Sequence, residues 1–311
     1  MSYPWLADIE NAFADRLRQD RLAHALLLSG PPDLGKVELA RAFIAAALCL
    51  EHTFPACGSC RSCALDASGA HPDRHIVTFE ESPKTGELRK ELVIDQVRRL
   101  SASLCLTNSI SRRKAALVYP VEAMNKHTSN ALLKTLEEPP GDALIILVSN
   151  ASSRLSATIR SRCQKLHVRM PGHAESVGWL RLQDAGLSSG EAELALEAAA
   201  GSPLSALRLI EDGGVEAYAR LNAALDALLD GRVSVSVILE ELSETDPAGL
   251  WSWISLRSAE ETRKRSRAGV AARASSELQR QADRNRRLVS TPVRKDLLLR
   301  DWLIQWSRLN G

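Results

Sequence analysis

The sequence is poor in aromatic residues and has no long apolar run. Phe, Tyr and Trp together make up 4% of its 311 residues, so its cores should be built mainly from Leu, Ala, Val and Ile. The longest apolar run, around Phe43–Leu50, is far short of the roughly 20 residues that span a bilayer, which argues against a membrane protein. Met1–Glu10 carries no basic-then-apolar leader pattern, and a cytoplasmic protein is expected. Neither sign of charge is in excess. There are 40 Lys and Arg against 38 Asp and Glu, net +2, so no global attraction to polyanions is implied. With 45% hydrophobic and 25% charged residues the chain is an ordinary globular one, long enough for two or three domains of about 100–200 residues each.

Charge is uneven only near the C-terminus, where Arg263, Lys264, Arg265, Arg267, Arg273, Arg280, Arg284, Arg286 and Arg287 crowd together with few acids between. Such a run fits contact with DNA phosphates or a solvated helical face, and the sequence leaves both open.

Cysteines stand at 49, 57, 60, 63, 105 and 163, and the first four fall within fifteen positions. In a reducing compartment, clustered thiols point to metal or redox chemistry rather than disulfides. Cys57-Gly-Ser-Cys60-Arg-Ser-Cys63 has the two-residue gaps that let a tight turn offer two sulfurs to one ion. Zinc is expected, held by Cys49, Cys57, Cys60 and Cys63. His71 or His75 is the alternative to Cys49. Four protein ligands leave no open position for water, so the metal would be structural.

Apolar strands alternate with helical patterns up to about residue 168. Trp5, Ile9, Phe13 and Leu17 form the stripe of an amphipathic helix,. Strands are expected at Ala25–Ser29, Ile76–Phe79, Ala115–Tyr119, Ala143–Ser149 and Gln164–Val168, with helices at Val37–Leu50, Ile94–Leu104 and Ser129–Glu138. The continuous apolar runs at 115–119 and 143–149 are those of strands buried on both faces of a parallel sheet. A boundary is expected at Pro171-Gly172, beyond which Ala/Leu/Glu/Arg-rich helices dominate, divided again near residue 207.

The first strand runs into Gly30-Pro-Pro-Asp-Leu-Gly35-Lys36-Val37, a phosphate loop with Val where Ser or Thr should hold magnesium. Gly30, Gly35 and Lys36 could still hold an anion at the helix N-terminus. The two carboxylates expected after the next buried strand are absent, since Tyr119-Pro120-Val121 stand there and Glu122 is the first acid. Loss of parts that each contribute on the order of 10²-fold or more predicts no hydrolysis by this chain. One piece of such a site remains. In Ser161-Arg162-Cys163, Arg162 precedes the last strand, where it is either a surface ion pair or a guanidinium delivered to a neighbour's γ-phosphate.

His24-Ala-Leu-Leu-Leu-Ser-Gly30, the degenerate phosphate loop, the cysteine cluster, His71-Pro-Asp73, Asn130-Ala-Leu-Leu-Lys-Thr-Leu-Glu-Glu-Pro-Pro140 and Thr158-Ile-Arg-Ser-Arg-Cys163 follow one another in this order. In this the chain resembles the bacterial clamp-loader AAA+ family of DNA polymerase III. The similarity is strong over 1–206 and extends beyond only in length and helical character. It implies an α/β AAA+ domain with a parallel sheet at 1–170 carrying a zinc module at 49–63, a helical lid at 171–206 and an all-α collar for oligomerisation at 207–311. It implies an ATPase-inactive stator of the polymerase holoenzyme, with weak or no ATP binding, that gives Arg162 in trans to a motor subunit while the clamp is loaded. Asn150 falls at the sensor-1 position, and Pro203-Leu204 stand where a sensor-2 arginine would be. The implied partners are motor subunits (tau/gamma) and a delta subunit, with the sliding clamp and primer-template DNA reached through the complex, and no membrane. The alternatives are an ATP-hydrolysing motor subunit and a zinc-dependent nucleic-acid-binding protein.

Overall fold

A computed structural model describes residues 3–83, 85–242, 246–289 and 291–310. The chain divides into two compact units, Met1–Pro171 and Gly172–Gly311.

In the first unit, a 3-10 turn at Pro4–Leu6 leads into α1 (Ala7–Arg18). The stripe foreseen on this helix buries Phe13 and Leu17, and the Phe13 ring stacks on Phe43 with centroids 3.8 Å apart. Then follow β1 (Ala25–Ser29), α2 (Lys36–Leu48), α3 (Arg61–Ala67), β2 (Arg74–Val77), α4 (Ile94–Leu104), β3 (Ala115–Val118), α5 (Lys126–Glu137), β4 (Leu144–Ser149), α6 (Ala157–Arg162) and β5 (Gln164–His167). The strands form one parallel sheet in the order β2-β3-β4-β1-β5. Every residue of β1, β3 and β4 is buried, while β5 at the edge alternates. That is the reason the central strands read as unbroken apolar runs.

Two elements differ from the sequence reading. β2 spans Arg74–Val77 rather than 76–79, because Arg74 opens the pairing opposite Ala115 and its guanidinium is neutralised by Asp66 at 2.8 Å. α5 starts three residues earlier than the apolar pattern, at Lys126, because the Asn125 side chain accepts the Thr128 backbone N–H at 3.0 Å. Capping, not periodicity, sets that end.

The described residues of the second unit contain helices and no strand: α7 (His173–Gln183), α8 (Ser189–Ala198), α9 (Pro203–Glu211), α10 (Gly214–Leu229), α11 (Val235–Glu241), α12 (Pro247–Arg267), α13 (Arg273–Leu288) and α14 (Lys295–Ser307). The line expected between residues 206 and 207 runs through α9. Leu221, Leu225, Ile254 and Leu278 pack round Trp251, Trp302 and Trp306, so half of the six tryptophans share this one core. The indole N–H groups of Trp302 and Trp306 donate to the Leu278 and Leu225 carbonyls at 3.0 Å each, which satisfies them in an apolar core. The buried Arg257 lies 5.6 Å from the Trp306 ring centre, pairs with Asp226 at 2.5 Å, and lies 3.7 Å from the buried carboxylate of Glu261. Among the described residues, no helix is long and apolar enough to cross a membrane.

Candidate functional site

The carboxyl ends of β1, β3 and β4 bring together the remnants of a phosphate site. This is the edge of a parallel sheet where ligands bind in such folds. The loop after β1 is tightly held. A Cβ on Gly30 would lie 2.2 Å from the Val168 carbonyl oxygen, and one on Gly35, at φ +79°, would lie 2.4 Å from the Tyr3 ring. Tyr3 is therefore seated on the loop, and the Trp5 indole N–H donates to the Leu34 carbonyl at 3.0 Å. The sequence reading missed Tyr3, for which no pattern gave a signal.

Lys36 opens α2 with a buried side chain, and its ammonium donates to the Pro31 carbonyl of its own loop. Burial lowers its pKa to about 8, against the opposing pull of Asp33, Glu122 and Glu38. Glu122 is the first acid past β3. One carboxylate oxygen accepts the Asn150 backbone N–H at 2.9 Å, so the acid caps the end of β4, and the other is buried without a hydrogen-bond partner. Asn150 itself is exposed. A phosphate entering here would compete with the Pro31 carbonyl for the lysine.

Arg162 is the last residue of α6, whose start is fixed by the Ser156 hydroxyl accepting the Ile159 N–H. Its Nη2 lies 2.6 Å from Oε1 of Glu137 and its Nη1 donates to the Thr158 carbonyl at 3.2 Å, with the side chain 34% exposed. Residues 130–140 and 158–163, noticed separately in the sequence, thus meet through this pair. Cys163 beside it is buried, which pushes its pKa up to about 11 and keeps the thiol protonated.

The Sγ atoms of Cys49, Cys57, Cys60 and Cys63 all lie within 4.8 Å of one another. Cys49 caps the end of α2 and Cys60 the start of α3. Four thiolates at 2.3 Å from a tetrahedral zinc ion stand about 3.8 Å apart, and the Cys57 and Cys63 sulfurs are 3.8 Å apart. Backbone N–H groups of Cys57, Cys60 and Cys63 point at the sulfurs of Cys49, Cys57 and Cys60 at 3.4–3.5 Å. Donors from Ser59 and Cys60 bring Cys57 down to about 6, while burial pushes Cys63 up to about 12. The set could hold a metal ion, whose charge would ionise all four.

Neither histidine proposed as an alternative ligand belongs to this set. His71 Nδ1 accepts the Asp73 backbone N–H at 3.1 Å, so its Nε2 carries the proton and donates to the Ser62 hydroxyl at 2.8 Å. Ser62 and Ser111 both donate to the Leu48 carbonyl at 2.7 Å. Burial lowers the pKa of His71 and keeps the ring neutral. The Asp73 carboxylate accepts the backbone N–H groups of Ser109, Ile110 and Ser111 at 2.8–2.9 Å and faces the buried Lys114 ammonium at 3.3 Å. The cysteine-bearing insertion is fastened to the sheet through these residues.

Residues 5–171 match the family model described as DNA polymerase III, delta subunit. A DNA polymerase III subunit delta' of Pseudomonas aeruginosa is 37% identical over 254 residues, covering 81% of this chain and 74% of that protein. The subunit delta' of Escherichia coli is 33% identical over 225 residues, covering 72% of this chain and 65% of that protein. A subunit tau/gamma of Haemophilus influenzae is 32% identical over 162 residues, covering 52% of this chain and 22% of its own length. Among solved structures, a gamma subunit-related protein of Thermotoga maritima superposes with a TM-score of 0.50 at 17% identity, over 96% of this chain and 99% of that one. That last likeness speaks for the fold alone.

Proposed function

The chain belongs to the DNA polymerase III delta' family, and on that premise we propose that it is the clamp-loader subunit that turns over no ATP itself and lends Arg162 to a neighbour that does. The observation that carries this reading is the state of its own phosphate loop. Lys36 is held on the Pro31 carbonyl, the charges of Asp33, Glu122 and Glu38 act on it, Val37 offers no hydroxyl, and Glu122, the first acid after β3, has one carboxylate oxygen on the Asn150 amide. The hydroxyl that should follow Lys36 and the pair of acids that should follow β3, which hold magnesium and orient an attacking water in hydrolysis, are not at those positions of the sequence,. Arg162 differs. It sits at a helix end, partly exposed, and a guanidinium set against a γ-phosphate from outside offsets the charge developing in phosphoryl transfer.

In this reading the chain works in the cytoplasm within an assembly with tau/gamma motor subunits and a delta subunit, and reaches the sliding clamp and primer-template DNA through it. Residues 1–170 are the AAA+ domain, the helices from 171 to the end of α9 the lid, in place of a division at 206/207 that would cut that helix, and those after it the collar through which the subunits associate. Cys49, Cys57, Cys60 and Cys63 hold a zinc ion that supplies folding energy to the 49–63 module and takes no part in chemistry.

The test is reconstitution. The isolated chain should show no ATP turnover above background, and Arg162→Ala should leave the assembly intact while slowing hydrolysis at the site it serves by about 10³–10⁵-fold. Magnesium-dependent turnover by the isolated chain, abolished by Lys36→Ala, would instead make it a motor subunit.

A further inference from the structure

The contact between Glu137 and Arg162 is not accounted for by stability. Their side chains are 45% and 34% exposed, and an ion pair with that much solvent contributes little to folding. It does fix direction. Glu137 is the last residue of α5, and its Oε1 takes Nη2 of Arg162 at 2.6 Å, while the Thr158 carbonyl, one turn back on α6, takes Nη1 at 3.2 Å. Two acceptors on different nitrogens set both the position and the plane of a side chain that would otherwise sample many rotamers. A guanidinium has five N–H groups, so these contacts leave most of its donors for phosphate oxygens. Glu138, the next residue, donates its backbone N–H to the Lys134 carbonyl at 3.0 Å, but its carboxylate has no hydrogen bond or ion pair among the described residues, so the pairing belongs to position 137 and not to acidity of the segment at large.

We infer that Glu137 is a positioning residue for Arg162: by holding the guanidinium from behind, it presets the geometry in which Arg162 meets a neighbour's triphosphate. The inference rests on the reading of Arg162 as the residue lent in trans. Its action is through a hydrogen bond and not through charge, because a carboxylate near a phosphate is itself unfavourable. Gln, which keeps the acceptor and drops the charge, should therefore replace it.

The experiment is ATP turnover of the reconstituted clamp loader containing this chain as Glu137→Ala, Glu137→Gln, Glu138→Ala or Arg162→Ala, with assembly checked by size-exclusion chromatography. Glu137→Ala is expected to lower kcat on the order of tenfold with the KM for ATP unchanged. Glu137→Gln should restore turnover, Glu138→Ala should leave it as it was, and Glu137→Ala added to Arg162→Ala should have no further effect. If Arg162→Ala collapses turnover while Glu137→Ala leaves it unchanged or raises it, or if Gln fails to rescue, the positioning role is wrong and the reading of Arg162 stands. If Arg162→Ala itself has no effect, that reading falls and takes this inference with it.

Discussion

Asp73 and Lys36 are both buried charges, and they have opposite fates. Burial alone would raise the Asp73 carboxyl, but three backbone N–H donors and Lys114 outweigh it and hold the pKa at about 2. The folded state therefore binds its proton later than the unfolded chain does. The stabilisation is fully present above the ordinary carboxylate value of about 4 and is lost as pH falls toward 2. Asp73→Asn, which sets an amide against backbone donors and strands Lys114, should cost about 3 kcal/mol at neutral pH. Urea titrations should show that gap narrowing between pH 4 and 2. Among the described residues, the hydrogen-bond acceptor of Lys36 is a carbonyl of its own loop. If nothing anionic needs it, Lys36→Met should raise the melting temperature and leave turnover of the assembled complex unaltered, and a fall in turnover would mean that the loop still engages nucleotide. The importance of Lys36 was legible from the GK pair, but its resting partner was not, since a sequence does not say which carbonyl a flexible side chain will find. Nor did it reveal that Glu122 would turn to the Asn150 amide. Twenty-eight positions separate them, and only the adjacency of β3 and β4 brings them together.

Elements were legible wherever one physical signal dominated. α4 lies at Ile94–Leu104 as its pattern predicts, and the central strands follow their apolar runs. The start of α5 was set by a cap, and β2 by an ion pair that allows an arginine into an edge strand. Hydropathy carries neither. The cysteine module is the element whose behaviour is most exposed to test. Its ligands come from the end of α2, a turn and the start of α3, so the metal would replace apolar core in joining them. Chelation, or Cys60→Ser, is expected to release about one zinc per chain. It should open the backbone around 49–67 to hydrogen exchange while the sheet amides stay protected. Equal exchange with and without metal would show that the His71 and Asp73 contacts suffice by themselves.

At the scale of the molecule, the sequence told a sheet-bearing unit from a helical one, because β-like runs end where Ala/Leu/Glu/Arg-rich segments begin. It did not give the strand order, which depends on how crossovers pack, nor the ionic cluster inside the helical unit. There Glu261 is buried close to Arg257 and accepts Arg265 Nε at 2.7 Å. Glu261→Ala takes the close carboxylate from Arg265 while Arg257 keeps Asp226 and should cost about 2 kcal/mol, whereas an apolar replacement of the whole group could be neutral. Thermal melts of the single variant decide this.

Placement of the indoles also divides what a spectroscopist can see. Of six tryptophans, Trp179, Trp251, Trp253, Trp302 and Trp306 lie beyond Pro171, and Trp5 alone lies before it. Emission excited at the red edge of the ultraviolet band therefore reports almost entirely on the helical unit. Loss of the sheet would register only as a dimming of one ring against the Leu34 carbonyl, so a denaturation curve followed by fluorescence alone could look complete while half of the chain went unobserved.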